Sequence, residues 1–419
     1  MRNVQTRSRA TRKRRAYVQA AHGLLLLLFV LSSAGRARAY PWMIKHGYSS
    51  CGTCHSDPSG GELLTEYGRA MSQAFLSSRW RSEAEASPGA ESRFSEAYFG
   101  AIRGPDSLLL GGSVRLATLY QRGDRLRFFP MQVDVYGDYR ALDFLHFGGS
   151  LGVAKVPVGS PHARAAQLTT NQGDGYNLIS RTHYLRFDLG DGTYSVSVGR
   201  LNLPFGIRMS EHVMWVREQT ATDRESDQEH GAAFNATFAN WRLELMAIAG
   251  NYQINPDSFR KRGYSGFAEL DAWKGGAVGV SSLITHAGDD QLAPAGAADT
   301  RQAHGGFLRA ALSRACVLLA EGDLLLHTRH HPGYVGFTQL DGEPVRGLHF
   351  MATGEILDSG YPKDADATNN PRVPGLGKPK LGAWLSAQWF FVSHFDARLD
   401  VIVRKQDPLQ ILGQLHVYL

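Results

Sequence analysis

The chain has 419 residues, of which 46 are glycine and 43% are hydrophobic, a length that suits one large domain or two ordinary ones. Residues 1–39 contain nine of the 45 Lys and Arg residues and none of the 39 acidic residues. The rest of the chain therefore has 36 basic and 39 acidic residues, a balance that argues against nucleic acid as a partner. Three cysteines are too few for a disulfide framework, and Cys316 lies in an apolar stretch as a small hydrophobic residue.

Residues 1–39 have the organisation of a secretory signal peptide. A run of basic residues is followed by an apolar core, Gly23–Leu31, and then by small residues at Ala37 and Ala39, where a signal peptidase reads them. The apolar core is much shorter than the roughly 20 residues that a helix needs to span a bilayer. We therefore expect an exported protein whose mature chain begins at Tyr40; the alternative is a retained membrane anchor.

The next feature is a C-x-x-C-H motif, Cys51-Gly52-Thr53-Cys54-His55, near the start of the expected mature chain. In c-type haem attachment the two thiols add to the haem vinyl groups, and the adjacent histidine ligates the iron on the proximal side. Because this attachment takes place outside the cytoplasm, it agrees with the signal peptide. We predict one covalent haem c on Cys51, Cys54 and His55; the alternatives are a redox-active cysteine pair or half of a zinc site.

Two residues are candidates for the distal iron ligand. His46 lies five residues before Cys51, and Met71 lies on a helix predicted from about Glu62 to Arg79. Leu63, Tyr67 and Phe75 share helical spacing with Met71, which is typical of a packing residue. His46 is therefore the favoured ligand and Met71 the runner-up, while water, another residue or an open position remains an alternative.

The segment 40–78 resembles a recurrent N-terminal mono-haem module of Gram-negative exported proteins. The resemblance lies in His46-Gly47-Tyr48, the C-x-x-C-H motif, Pro58-Ser59-Gly60-Gly61 and Tyr67-Gly68-Arg69. In that largely uncharacterised family the module precedes an outer-membrane β-barrel. The resemblance therefore implies haem attachment, includes His46 in the shared pattern, and implies a barrel in the outer membrane; it implies no particular partner or substrate.

A polar linker is predicted at residues 81–92, and a sequence period of two dominates from Arg93 to the end of the chain. Apolar residues alternate with polar ones in runs such as 131–139, 241–249 and 395–403. This alternation predicts strands with one apolar and one wet face. In a membrane barrel, Val133, Val135, Leu399 and Val401 would face lipid, and Asp134 and Asp400 would face a polar lumen where substitutions cost little.

Strand length and connection length favour a transmembrane barrel over a soluble sandwich. The predicted strands have about ten residues, which suits a tilted membrane span. Tight turns at 190–192 and 239–240 alternate with long polar stretches at 158–177, 209–229, 289–304 and 360–378. We therefore predict an all-β fold, an antiparallel outer-membrane barrel of about sixteen strands (fourteen to eighteen) over residues 93–419, preceded by a short helical haem-binding segment at 40–80.

Two further patterns each have a structural interpretation beside a functional one. Residues 199–206, Gly-Arg-Leu-Asn-Leu-Pro-Phe-Gly, resemble a strand-to-loop segment of anion- and phosphate-type porins, but Pro204 and Gly206 also suit an ordinary strand end. His327, His330 and His331 form a histidine cluster, for which a solvated loop is favoured over a metal site because Asp323 is the nearest carboxylate and no cysteine is close.

Three functions are consistent with these features. The favoured one is an electron carrier whose haem lies at the periplasmic end of the barrel and serves a cytochrome-like redox partner in the envelope, with outer-membrane lipid around the barrel. The second is a passive diffusion porin for small solutes, of anion type, in which the haem module is structural, because sixteen strands leave an aqueous channel. The third, a peroxidase-like enzyme, requires an open distal iron position.

Overall fold

The computed structural model describes residues 41–48, 50–78, 102, 105–155, 166–169, 175–190, 192–211, 213–253, 260–290, 297–328, 331–360, 379–405 and 407–419. The predicted signal peptide and the predicted linker at 81–92 lie outside these residues. Among the helices that the structure describes, none is long and apolar enough to cross a membrane.

The residues before the first strand form short helical elements. These are the 3-10 helices Pro41–His46 and Cys51–Thr53, the helix α1 at Glu66–Met71 and a π-helical turn at Ser72–Leu76. Helix α1 begins at Thr65, whose hydroxyl accepts a hydrogen bond from the Gly68 N–H at 3.0 Å and so satisfies a free donor of the first turn. The predicted short helical segment before the barrel is thus confirmed, although it is broken into turns.

From residue 105 onward, the described residues form one antiparallel sheet of seventeen strands and a further helix, α2, at Trp215–Thr220. The strands are β1 Leu108–Gln121, β2 Arg127–Leu142, β3 Leu145–Lys155, β4 Tyr176–Ile179, β5 His183–Leu189, β6 Tyr194–Leu201, β7 Glu229–Thr237, β8 Trp241–Gly250, β9 Arg262–Trp273, β10 Gly276–Ala287, β11 Asp299–Ser313, β12 Cys316–His327, β13 Gly333–Val345, β14 Leu348–Asp358, β15 Lys380–Val392, β16 Phe395–Arg404 and β17 Gln410–Tyr418.

The sheet closes into a sixteen-strand barrel. Strand β17 pairs with β1 from Ser113 opposite Tyr418 to Gln121 opposite Gln410, so no edge is left at the seam. Strands β4 and β5 both pair with β3, one beyond the other, and therefore occupy a single position in the barrel. The predicted strand number and the antiparallel barrel are confirmed.

The two faces of the barrel follow the period of two. Leu399 is 50% exposed on the outer face, whereas Asp400 beside it is 1% exposed on the inner face. Val133 and Val135 likewise point outward, Val401 is partly buried on the same side, and Asp134 points inward. A transmembrane barrel presents an apolar belt to the lipid. The exposures of these six side chains confirm their predicted orientation.

Connections of two lengths divide the ends of the barrel. At the end that we call the short-turn end, seven connections have two to four residues, for example 143–144, 274–275 and 393–394, and β1 begins and β17 ends there. At the opposite, long-loop end the connections have five to twenty-seven residues, including 202–228 and 359–379. The predicted alternation of connection lengths is confirmed, although most of the predicted stretches 158–177 and 360–378 lies outside the described residues. Residues 299–304 extend β11 and belong to no loop.

Residues 41–78, called here the N-terminal segment, lie inside the barrel. Lys45 forms an ion pair with Glu343 of β13, and the Trp42 ring lies 4.3 Å from the His349 ring of β14. On other sides of the wall, Ser72 lies 2.8 Å from the Tyr418 hydroxyl of β17, Ser56 donates to Asp138 of β2 at 2.5 Å, and Arg242 of β8 lies 3.5 Å from the Cys51 sulfur. These contacts anchor the segment around the circumference.

The connection 202–228, called here the inward loop, folds into the lumen from the long-loop end. Its helix α2 is held to the wall where the Trp215 N–H donates to Glu355 at 2.9 Å, and Arg217 of the same helix pairs with Glu321. Asn202 donates to Asp57 at 3.1 Å, which joins the inward loop to the N-terminal segment. The lumen therefore contains packed polypeptide, and the expectation of a simple water-filled inner face is corrected.

Replacing Glu269 by glutamine is expected to destabilise the barrel strongly. The Glu269 carboxylate on β9 is buried and accepts hydrogen bonds at 2.8 Å from the Nε atoms of Arg242 and Arg309. Loss of its charge leaves two buried guanidinium groups with less compensation, a change that costs about 3–5 kcal/mol. The urea midpoint of detergent-solubilised Glu269→Gln should fall well below that of Asp124→Asn, which breaks an exposed ion pair that contributes little to stability. Equal midpoints would contradict this role.

Candidate functional site

The C-x-x-C-H residues lie on a buried 3-10 turn inside the barrel. Cys51–Thr53 form the turn, and the N–H groups of Cys54 and His55 both donate to the Cys51 carbonyl at 3.1 Å. Cys51, Cys54 and His55 are buried, and neither cysteine forms a disulfide. The Thr65 N–H donates to the Cys54 carbonyl at 2.9 Å, which ties the turn to the start of α1. The sequence motif is therefore one compact structural unit.

Glycines allow the chain to fold closely around the two cysteines. Gly60 has a φ of +87°, and a Cβ added there would lie 2.8 Å from the Cys51 Cβ and 3.0 Å from its sulfur. A Cβ at Gly68 would collide with the Cys54 carbonyl. Both glycines belong to the pattern that gave the family resemblance, so the pattern has a steric basis at this turn.

Two adjoining cavities meet at this turn. The first has about 830 Å³ of empty space and is lined by Cys54, His55 and Met71 together with apolar side chains such as Leu64 and Leu76. The second has about 1100 Å³ and is lined by Cys51 and His55. The residues shared by both linings are His55, Gly61, Arg115, Arg224 and His416.

The donor set fits a covalent haem c. The thiols of Cys51 and Cys54 flank the two cavities, and His55 lines both. Burial, reinforced by the nearby Arg224 charge, lowers the pKa of His55 to about 4, so its imidazole is neutral at physiological pH. A neutral imidazole is the form that ligates a metal. Two thiols outside any disulfide, a neutral imidazole and an adjoining cavity are what the attachment and proximal ligation of a haem require.

The structure brings Met71, but not His46, to the cavity that His55 lines. The Tyr48 hydroxyl donates to the Met71 sulfur at 3.1 Å, which fixes the orientation of the thioether. The His46 ring instead packs against Phe75 at 5.1 Å, and His46 is absent from the described residues that line either cavity. Met71 is therefore the candidate that lines this cavity, while the choice of the distal ligand stays a prediction.

A large opening at the short-turn end reaches the same turn. This opening, called here the vestibule, has about 1750 Å³ of empty space, and its lining includes Gly52, Thr53 and His55 on one side and Asp188 and Gly192 of the wall on the other. Gly52 is exposed within it. The C-x-x-C-H turn therefore has a buried side toward the two cavities and an open side toward the short-turn end.

The remaining sequence patterns lie elsewhere. Strand β6 ends at Leu201, and residues 202–206 begin the inward loop; Gly206 has a φ of +56° and lies against the Glu321 carboxylate, so the porin-like segment has a structural role here. His327 is bonded to Asp299 at 3.1 Å, and His330 lies outside the described residues. Within the described part of the chain, no group of three or more His, Cys, Asp or Glu residues is placed to hold a metal ion.

Sequence reasoning missed Arg115, Arg224 and His416, which line both cavities. Arg115 and His416 face inward on β1 and β17 and stand opposite each other in the register that closes the barrel. Their inward orientation could be read from the period of two, but their proximity to Cys51 depends on this closure and on the insertion of the N-terminal segment, neither of which has a local sequence signal.

Comparison with known proteins shows the fold. OmpT, an outer membrane protein of Vibrio cholerae, has 10% sequence identity and a TM-score of 0.54, over 76% of this chain and 100% of OmpT. Salmonella typhi OmpF has 9% identity and a TM-score of 0.51, over 74% of this chain and 97% of OmpF. An anion-selective porin from Comamonas acidovorans reaches a TM-score of 0.47, at 11% identity over 74% of this chain and 98% of the porin, which is too low to establish a common fold. This chain thus has the fold of porin-like outer-membrane β-barrels.

The other comparisons gave no relative. No protein-family model matches the chain, and no curated protein matches it.

Proposed function

We propose that this outer-membrane barrel carries one covalent haem c on its N-terminal segment and exchanges electrons with a redox partner at the periplasmic mouth. The observation that carries the proposal is the two-sided position of the C-x-x-C-H turn. Cys51, Cys54 and His55 line the two cavities, while Gly52 and Thr53 line the vestibule. Short turns lie on the periplasmic side of outer-membrane barrels, so the vestibule opens toward the periplasm.

The residues of the site have separate roles in this proposal. Cys51 and Cys54 form the two thioethers, and His55 is the proximal ligand. Met71, oriented by the Tyr48 hydroxyl, is the better placed of the two distal candidates. When bound, a haem c supplies one-electron exchange between ferric and ferrous iron. The surrounding apolar side chains exclude water from the ligands, and the vestibule admits a partner to the edge of the turn.

One site at this end of the barrel serves one side of the membrane. The hydrocarbon core of a bilayer is about 30 Å thick, so a single haem near the short-turn end does not bridge it. Exchange with a periplasmic or envelope cytochrome therefore suits this placement, whereas transfer across the membrane would require further haems from a partner.

Haem staining of fractionated membranes, combined with a redox titration, tests the proposal. A reversible one-electron haem signal in the outer membrane supports it, and an outer-membrane barrel without haem contradicts it.

The two distal candidates give opposite expectations. Met71→Leu should convert a low-spin ferric haem to high-spin, because it removes the sulfur that lines the cavity with His55. His46→Ala should leave the spin state unchanged, because its ring packs against Phe75 away from both cavities. Ferric absorption and electron paramagnetic resonance spectra of the two variants measure this. Conversion by His46→Ala alone would return the ligand to His46, and a low-spin spectrum in both variants would assign a third residue, with His416 the first to replace.

A second candidate function is passive diffusion of small solutes, with the haem module as a structural plug. The sixteen-strand porin-like fold supports diffusion more directly than it supports electron transfer. Conductance of the purified chain in planar bilayers separates the two functions. A steady ohmic conductance through the intact protein favours diffusion, whereas negligible conductance together with a reversible haem couple favours electron exchange. A peroxidase-like enzyme is the weakest candidate, because ligation by Met71 would close the position that peroxide needs.

A further inference from the structure

Guanidinium groups and carboxylate groups both line the two cavities at the C-x-x-C-H turn. Five arginines contribute to their linings: Arg115, Arg181, Arg208, Arg224 and Arg398. An arginine keeps its charge at all physiological pH values, and a buried guanidinium requires acceptors for its five donors. The partners of each arginine therefore show which charge is already compensated within the chain.

Four of the five arginines have partners within the protein. Arg181 pairs with Asp134 at 3.0 Å, and Arg398 pairs with Glu211 at 2.7 Å. Arg208 donates to the carbonyls of Ser59 at 3.1 Å and Leu203 at 2.7 Å, and Arg224 lies 3.7 Å from the Glu225 carboxylate. These four hold the wall, the inward loop and the N-terminal segment together.

Arg115 is different. Its side chain is 5% exposed on the inner face of β1, and among the described residues it makes no hydrogen bond and no ion pair. Its cross-strand neighbour His416 is occupied by Ser113 at 2.9 Å and Asp396 at 3.0 Å. Because Arg115 lines both cavities, its charge faces the space that His55 also lines. None of its side-chain nitrogens is among the fully buried unpaired atoms of the described residues, so the guanidinium opens onto the cavity space and is available to an anion.

We infer that Arg115 is the binding residue for a carboxylate group that occupies the joined cavities. A guanidinium recognises a carboxylate through two parallel N–H···O bonds, and the pairing is strongest where water is excluded. Two sources have this chemistry: a propionate of the haem, in which case the inference rests on the proposed function, and a free small carboxylate in the lumen. Held beside the haem, the Arg115 charge favours the ferrous form, because reduction removes one positive charge from the iron.

Arg115→Gln separates these sources. If a propionate is the partner, the midpoint potential of the haem should shift to a lower value in Arg115→Gln, and Arg115→Lys should retain part of the wild-type potential. Arg140→Gln is the matched control, since it removes the same charge from an exposed position on β2 that lines only the vestibule among the three spaces. A clearly smaller shift is expected for the control.

A thermal-shift assay tests the other source. Sodium succinate at constant ionic strength, with sodium chloride as the reference, should raise the melting temperature of the wild-type protein but not that of Arg115→Gln if a free carboxylate is bound. This assay also works if the wild-type chain proves to carry no haem, so failure of the proposed function and failure of the carboxylate site remain distinguishable. An unchanged potential together with an unchanged succinate response in Arg115→Gln would overturn the inference.

Discussion

Cys51→Ala and Cys54→Ala are each expected to abolish haem that survives denaturation. Each thiol forms one of the two thioethers, and the 3-10 turn that spans Cys51–Thr53 sets the spacing between them. Staining of a denaturing gel for covalent haem, with an antibody against the barrel as loading control, measures the effect. The expected result is a haem signal in the wild-type band and near-complete loss in both variants.

Cys316→Ser is the control for this experiment. Cys316 begins β12 and is absent from the described residues that line the two cavities, so its replacement should leave the haem signal unchanged. Wild-type staining in either Cys51→Ala or Cys54→Ala would show that attachment through two thioethers is wrong. Loss of the barrel itself in these variants would show instead that the N-terminal segment is needed for folding.

Leu385→Arg is expected to impair insertion of the barrel into the outer membrane severely. Leu385 is 65% exposed on the outer face near the middle of β15, the part of the strand closest to the bilayer midplane. An arginine at the midplane of the lipid face costs about 2–4 kcal/mol, against at most about 1 kcal/mol near the interface. The amount of heat-modifiable, folded protein in purified outer membranes measures the loss.

Leu381→Arg is the matched control on the same strand. Leu381 is 60% exposed and lies on the same outer face, but it is close to the long-loop end of β15. In a membrane barrel only the central arginine should reduce assembly strongly. On a soluble sandwich both positions would face water alike, so an equal effect at the two positions would contradict a membrane-embedded outer face.

The barrel could be predicted from the sequence because its main signal is local. A period of two places Leu399 outside and Asp400 inside, whatever the neighbouring strands are. Short turns such as 393–394 can be predicted from the same local stretch of sequence. The number of strands then follows from counting alternating runs. Only the break that separates β4 from β5 adds a seventeenth segment to the sixteen positions in the barrel.

The contents of the lumen could not be predicted in this way. Asp400 was expected to face a wet lumen and to tolerate replacement, but it accepts a hydrogen bond from Arg398 at 2.8 Å and another from Gln414 at 3.2 Å. That expectation was wrong, because the inward loop and the N-terminal segment fill space that an alternating pattern leaves undefined. A substitution at Asp400 would break a buried network.

The positions of the two distal-ligand candidates could not be predicted from the sequence either. His46 and Met71 are both near Cys51 in sequence, and the family pattern favours His46 as the distal iron ligand. Lys45, which precedes His46, pairs with Glu343 of the wall, and the Tyr48 hydroxyl donates to the Met71 sulfur. Both contacts depend on the tertiary structure, so sequence spacing alone could not order the two candidates.

The central claim is that the haem exchanges electrons with a protein partner through the periplasmic vestibule. The most direct measurement is the oxidation of the reduced haem by a soluble protein oxidant such as ferric cytochrome c, in sealed right-side-out outer-membrane vesicles before and after permeabilisation. We predict rapid oxidation only after permeabilisation, because the vestibule faces the vesicle interior. Equally rapid oxidation in sealed vesicles, or a haem that stays reduced after permeabilisation, would contradict the claim.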